Sequence, residues 1–268
     1  MTLIMGILNV TPDSFSDGGR WAATDAAIAH GLQLHDDGAD LIDVGGESTR
    51  PGATRVSPLD EQARVLPVIT ELARHGLTVS VDTLNASTAR AAAAAGAGII
   101  NDVSGGLADE AMASVAAHSG LTYVAMHWRG HAQQMGALTD YDDVVTEVRH
   151  ALEERVAVLE RAGVARNRLV LDPGLGFAKR AEHDWALLAH FDALTAVGLP
   201  VLVGASRKRF LAEVMPAGTP STGRDLPTAV VSVLSAQAGA WAVRVHDVGG
   251  TRAALNVLDR LASTRMDS

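Results

Sequence analysis

The chain has 268 residues, of which 47% are hydrophobic and only 4% aromatic, and its formal net charge is -9. That length buries a large, mainly aliphatic core and suits a single α/β domain over residues 1–268. The acidic balance gives no field for nucleic acid or an anionic membrane surface, and the lack of cysteine excludes disulfides and thiolate metal sites. The opening Met1-Thr2-Leu3-Ile4-Met5-Gly6 has no basic leader region, and the Ala91–Ala95 run is too short to span a bilayer. A cytoplasmic protein without nucleic-acid or membrane partners is expected.

In chain order, eight short apolar runs each end on polar residues. Leu3–Leu8 runs into Asn9, Leu41–Val44 into Gly45-Gly46-Glu47-Ser48-Thr49-Arg50, and Val79–Val81 into Asp82. Ile99–Ile100 meets Asn101-Asp102, Val124–Met126 meets His127, and Leu169–Leu171 meets Asp172-Pro173-Gly174. Val201–Val203 gives way to Gly204-Ala205-Ser206-Arg207-Lys208, and Ala242–Val245 carries Arg244 and precedes His246. Helical patterns fall between these runs: Ala26–Leu34 after a Thr24 or Asp25 cap, Pro58–Arg74, Thr88–Ala95 after Asn85, Asp109–His118, Tyr141–Ala162, Glu182–Val197, Leu226–Ala238 and Thr251–Leu261.

Strands alternating with helices imply a parallel sheet. Eight such units favour a closed (β/α)8 TIM barrel over an open doubly wound sheet. The nearest approach to a dinucleotide fingerprint, Gly174-Leu175-Gly176-Phe177-Ala178-Lys179, comes late and has Lys179 in the third glycine slot. In a barrel the carboxyl ends of all eight strands meet on one face, so the scattered polar residues converge on one pocket. Thr11–Trp21, Glu47–Val56 and Arg129–Thr139 are longer than ordinary barrel connections, as is Pro216–Arg224, and are candidate covers.

Ser206-Arg207-Lys208-Arg209 follows the seventh run and opens a helical pattern. Cations there oppose the helix dipole, so an anion site is the functional reading. Arg244 and His246 flank Val245, point the same way, and with Arg50 are suited to a phosphate or pyrophosphate. Asp82, Asn101 and Asp172 supply the opposite chemistry, because acids at the ends of buried strands need partners. Two acids and an amide suit a flat heterocycle with several N–H donors, although Asp172-Pro173-Gly174 is also a common turn sequence. Asn9 either ligates Mg²⁺ through its amide oxygen or caps its own loop. His127, Trp128 and Phe177 are expected to wall the pocket, and Met126 either reaches a ligand or packs.

These residues together resemble bacterial dihydropteroate synthases. The resemblance runs from Met5-Gly6-Ile7-Leu8-Asn9-Val10-Thr11-Pro12-Asp13-Ser14-Phe15-Ser16-Asp17-Gly18-Gly19, through Asp43-Val44-Gly45-Gly46-Glu47-Ser48-Thr49-Arg50-Pro51-Gly52, to Arg244-Val245-His246-Asp247. Asn101-Asp102-Val103-Ser104-Gly105-Gly106, Asp172-Pro173-Gly174-Leu175-Gly176-Phe177 and Ser206-Arg207-Lys208 lie between. It implies a TIM barrel that forms homodimers and joins 6-hydroxymethyl-7,8-dihydropterin diphosphate to 4-aminobenzoate, with sulfonamides competing for the aminobenzoate pocket. Carried over, Asp82, Asn101, Asp172 and Lys208 hold the pterin, with Met126, Phe177 and Gly204 lining its slot. Asn9, Arg244 and His246 bind Mg²⁺ and diphosphate, while Thr49, Pro51, Phe15 and Lys208 shape the aminobenzoate pocket, beside Arg50 and Ser206. Catalysis falls to Asp82, Asp172, Lys208 and Arg244.

One position departs from the family pattern. Many members carry serine after Ser-Arg-Lys, where this chain has Arg209, so Arg209 or nearby backbone N–H groups must take the aminobenzoate carboxylate. A corrinoid-linked pterin methyltransferase and a noncatalytic pterin-binding paralogue are the alternative readings.

Overall fold

A computed structural model describes residues 1–11, 19–47, 56–131 and 137–266. Phe15, Thr49, Arg50 and Pro51, which the resemblance assigns to the substrate pockets, lie outside the described residues.

Among the described residues, eight strands run parallel: β1 (Leu3–Asn9), β2 (Leu41–Gly45), β3 (Val79–Asp82), β4 (Ile99–Asp102), β5 (Thr122–Met126), β6 (Leu169–Asp172), β7 (Leu202–Val203) and β8 (Ala242–Val245). Their hydrogen-bonded order is β6-β5-β4-β3-β2-β1-β8-β7. Leu171 bridges Val201, and the Leu171 N–H donates to the Pro200 carbonyl, bringing the two ends together. The (β/α)8 TIM barrel expected from the sequence is the observed fold.

The helices are α1 (Gly19–Asp36), α2 (Pro58–Arg74), α3 (Ala86–Ala94), α4 (Met112–Ser119), α5 (Val144–Arg161), α6 (Ala181–Ala189), α7 (Phe191–Thr195), α8 (Asp225–Gln237) and α9 (Val248–Met266). Ser57 caps α2 by accepting from the Asp60 N–H, and Pro58 begins the helix where no N–H is needed. Asn85 sits at the cap of α3, but its carboxamide donates to Glu61 at 2.8 Å instead of capping the backbone. The expected helix Glu182–Val197 divides at His190, whose φ of -112° and ψ of 42° leave the helical basin. Among the described residues, no helix is long and apolar enough to cross a membrane.

Side chains alternate across each strand, which creates two cores. Ile4, Leu8, Ile42, Val44, Val81, Ile100, Leu171 and Val243 join the layer packed under the helices. Met5, Leu41, Ile99, Val124, Val170, Leu202 and Ala242 form a separate apolar layer, the plug of the barrel lumen. Both faces of every strand are therefore buried, and the runs read as continuously apolar.

Candidate active site

Two residues beyond the apolar lumen layer, each strand presents its next inward position. Leu41 is followed by Asp43, Ile99 by Asn101, Val124 by Met126, Val170 by Asp172, Leu202 by Gly204 and Ala242 by Arg244. The third strand contributes Ser80 and then Asp82. The pleat thus converts residues scattered over two hundred positions into one polar layer at the carboxyl end of the barrel.

Arg244 organises one side of this layer. Its Nε meets Asp43 Oδ2 at 2.6 Å, and its Nη2 meets Asp82 Oδ2 at 2.8 Å. Asn101 donates to the same Asp43 oxygen at 3.0 Å. Asp43 is fully buried, and its Oδ1 has no hydrogen-bond partner among the described residues. One guanidinium therefore serves two buried carboxylates. Burial pushes the Asp82 carboxyl up to about 7, with Asp43 adding to the rise and Arg244 opposing it.

The opposite side is built by β6, β7 and the segments after them. Asp172 is raised by burial, against the pull of Lys208 and of the Gly174 N–H, which donates to its Oδ1 at 2.7 Å. The turn-capping reading of Asp172 holds, since one oxygen closes the turn, while the side chain still faces the lumen. A Cβ on Gly204 would sit 3.7 Å from Lys208 Nζ and 3.8 Å from Asp172 Oδ2, so the missing side chain keeps this side of the slot open. Lys208 Nζ stands 4.8 Å from the centroid of the half-buried Phe177 ring and donates to the Leu175 carbonyl. Burial lowers the Lys208 ammonium to about 8, with Asp172 and Asp184 resisting. Beside it, Ser206 Oγ lies 2.9 Å from His246 Nδ1 and accepts the His246 N–H at 3.1 Å. Met126 is buried under the Gly174 turn.

Three expectations need correction. The basic run does not act as a unit, because Arg207 adopts φ of +58° and pairs both ends of its guanidinium with Asp225, at 2.7 and 2.8 Å. Arg209 is exposed and begins a six-residue 3₁₀ helix rather than an α-helix, so the dipole argument for an anion site there does not apply. Pro216 explains the short helix, since it biases the residue before it out of the helical basin. His127 turns away from the pocket: Lys179 Nζ lies against its Nδ1 at 3.0 Å, while Trp128 packs edge-on against His131.

Sequence reasoning missed Asp43 as a site residue. The available signal was an acid at an inward position of Leu41-Ile42-Asp43-Val44-Gly45, where alternation demands a lumen-facing group. Asn9, at the end of β1 and half-buried, pairs in register with Gly45 and makes no side-chain hydrogen bond to another described residue.

The sequence matches the pterin binding enzyme family over residues 5–246. Dihydropteroate synthase of Mycobacterium leprae is 52% identical over 260 residues, covering 95% of this chain and 92% of the relative. The Xanthomonas albilineans dihydropteroate synthase with 4-aminobenzoic acid superposes with a TM-score of 0.91 at 45% identity, covering 97% of this chain and 93% of that one. The Yersinia pestis dihydropteroate synthase in a sulfonamide drug complex gives 0.91 at 40% identity, covering 98% and 94%. A barrel of this topology and a sequence this close across nearly its whole length leave one assignment: the chain belongs to the pterin binding enzyme family and, within it, to the dihydropteroate synthases.

Proposed function

We propose that this chain makes 7,8-dihydropteroate in folate biosynthesis with the roles divided between the two sides of its polar layer. The substrates are 6-hydroxymethyl-7,8-dihydropterin diphosphate and 4-aminobenzoate, and diphosphate is released. The carrying observation is the opposition within one mouth of buried acids (Asp82, Asp172) and cations (Lys208, Arg244).

Asp82, Asn101 and Asp172 receive and orient the pterin's N–H groups, Lys208 donates to it, and Met126, Phe177 and Gly204 bound its slot. The C–O bond to the diphosphate breaks with its electron pair leaving on oxygen, and the pterin carries the cation. Asp82 and Asp172 stabilise that cation, while Arg244, Lys208, Ser206 and His246 meet the departing anion. The aminobenzoate nitrogen then bonds to the exocyclic carbon and loses its proton. Phe15, Thr49, Arg50 and Pro51 are assigned to the aminobenzoate side, where sulfonamides compete.

Mg²⁺ is expected on the diphosphate. Among the described residues no group of three or more acidic or imidazole side chains is placed to hold a metal. A single neutral donor such as the Asn9 carboxamide fits Mg²⁺ held mostly by water and substrate oxygens. Bound there, the ion would neutralise charge on the leaving diphosphate.

A second copy of this chain is the proposed partner. Leu226, Val230 and Leu234 on α8 are 73%, 51% and 58% exposed at four-residue spacing, and Val257 and Leu261 on the adjoining α9 are 63% and 58% exposed. Exposed apolar side chains of this kind on neighbouring helices favour a homodimer, and we place the protein in the cytoplasm. The deciding assay incubates the protein with pterin diphosphate, labelled 4-aminobenzoate and Mg²⁺. Metal-dependent dihydropteroate supports the reading; pterin binding without product favours a noncatalytic paralogue.

A further inference from the structure

Several backbone polar groups of the segment from Gly174 to Lys179 are held by side chains from other elements. Asp172 Oδ1 accepts the Gly174 N–H, Asp184 Oδ1 on α6 accepts the Gly176 N–H at 2.7 Å, and Tyr141 donates to the Ala178 carbonyl at 3.1 Å. The Phe177 N–H closes back on the Gly174 carbonyl at 3.0 Å. Gly174 has φ of +67°, and a Cβ there would collide with the His127 carbonyl oxygen.

Lys179 sits beneath this segment and is 4% exposed. An ammonium has three protons, and Nζ faces three acceptors: the Gly174 carbonyl at 2.9 Å, His127 Nδ1 at 3.0 Å and the Phe177 carbonyl at 3.1 Å. His127 is held neutral by burial and by its cationic neighbours Lys179 and Arg129, so Nδ1 is free to accept. The two carbonyls that Lys179 gathers bracket Leu175, whose own carbonyl receives Lys208. Phe177, whose ring lies against the Lys208 ammonium, hangs from the same segment.

We infer that Lys179 is a positioning residue for the pterin slot: by clamping Gly174 and Phe177 to the ring of His127, it fixes both the aromatic wall and the seat of Lys208. Lys179 touches no substrate in this role. A buried lysine is a costly way to fill space unless its ammonium protons are all taken up. The three matched acceptors are the reason for a cation at this position. This role rests on the assignment of Asp82, Asn101, Asp172 and Lys208 to the pterin.

The test is calorimetric binding of 6-hydroxymethylpterin diphosphate to wild type, Lys179→Met and His127→Phe, alongside steady-state kinetics and backbone hydrogen exchange. Ordering Phe177 and Lys208 on binding rather than in advance should raise the pterin Kd of Lys179→Met roughly ten- to hundredfold. Its melting temperature should fall modestly, because the Phe177 carbonyl and His127 Nδ1 lose their donor, and residues 174–178 should exchange faster than the rest of the barrel. His127→Phe, which removes one acceptor of three, should raise Kd by a smaller factor, and it decides the matter if Lys179→Met does not fold. An unchanged Kd in the folded variants overturns the positioning role and leaves the pterin assignment standing. A wild-type protein that fails to bind the pterin diphosphate overturns the assignment itself.

Discussion

Arg244 and Asp43 are 201 positions apart in the chain, yet Arg244 Nε meets Asp43 Oδ2 at 2.6 Å inside the barrel. The same guanidinium holds Asp82, so one cation compensates two carboxylates that burial would otherwise strongly penalise. Arg244→Ala leaves both without their cation. Breaking such a pair costs several kcal/mol, and with Arg244 partly exposed about 2–3 kcal/mol is expected here. The loss should be larger at pH 8 than at pH 5, where Asp82 is protonated. Chemical denaturation at the two pH values checks this, and equal losses would contradict it.

Asp82 should show function and stability pulling in opposite directions. Its carboxyl is raised from 3.8 to about 7, chiefly by burial. Between those values the folded protein keeps a proton that the unfolded chain releases, so this group's contribution to stability falls as pH rises through that window. Above about pH 7 the full cost of the buried charge remains. Asp82→Asn removes that cost and leaves Arg244 paired with Asp43. The variant should melt no lower than the parent at pH 8 while turnover drops by roughly a hundredfold or more. Near-normal kcat would remove Asp82 from the mechanism.

Pterin binding should have a narrow pH optimum. Asp82 must be ionised to accept pterin N–H groups, which gives a rising limb near pH 7. Lys208, lowered by burial from 10.5 to about 8, must keep its proton, which gives a falling limb near pH 8. Asp82→Asn should lose the rising limb. Lys179→Met should keep it, because Lys179, itself lowered to about 7 by burial, could only contribute a falling one.

Leu234→Glu should convert a dimer to a monomer by placing a charge in the apolar stripe of α8. Light scattering would show the mass halved, with the barrel's far-UV circular dichroism unchanged. A parent protein already monomeric at micromolar concentration would end the proposal.

The barrel and much of its mouth were legible because period-two alternation and the polar strand ends carry the same message. Asp82, Asn101 and Asp172 announce themselves by standing where an apolar run stops, Lys208 by the basic cluster that follows one, and Arg244 as a cation one residue short of a run's end. Asp43 is hidden because it lies inside a run, where a scan for strand ends does not look. Lys179 registers in the sequence only as the residue that spoils a glycine motif; its importance comes from three acceptors that the chain folds around it. The different fates of Arg207 and Lys208 depend on one backbone angle, φ of +58° at Arg207, which adjacent basic letters do not reveal.

The ladder between β6 and β7 is the barrel's thinnest, with β7 two residues long and Leu171 and Val201 forming an isolated bridge. Asp172 stands on one lip of this seam, and Gly204 and Lys208 stand on the other. A pterin gripped by both lips is therefore also a stitch across the place where the wall would part first. Local opening there would release substrate without unfolding the rest, and amide exchange at Leu202 and Val203 should slow on pterin binding more than anywhere else in the sheet.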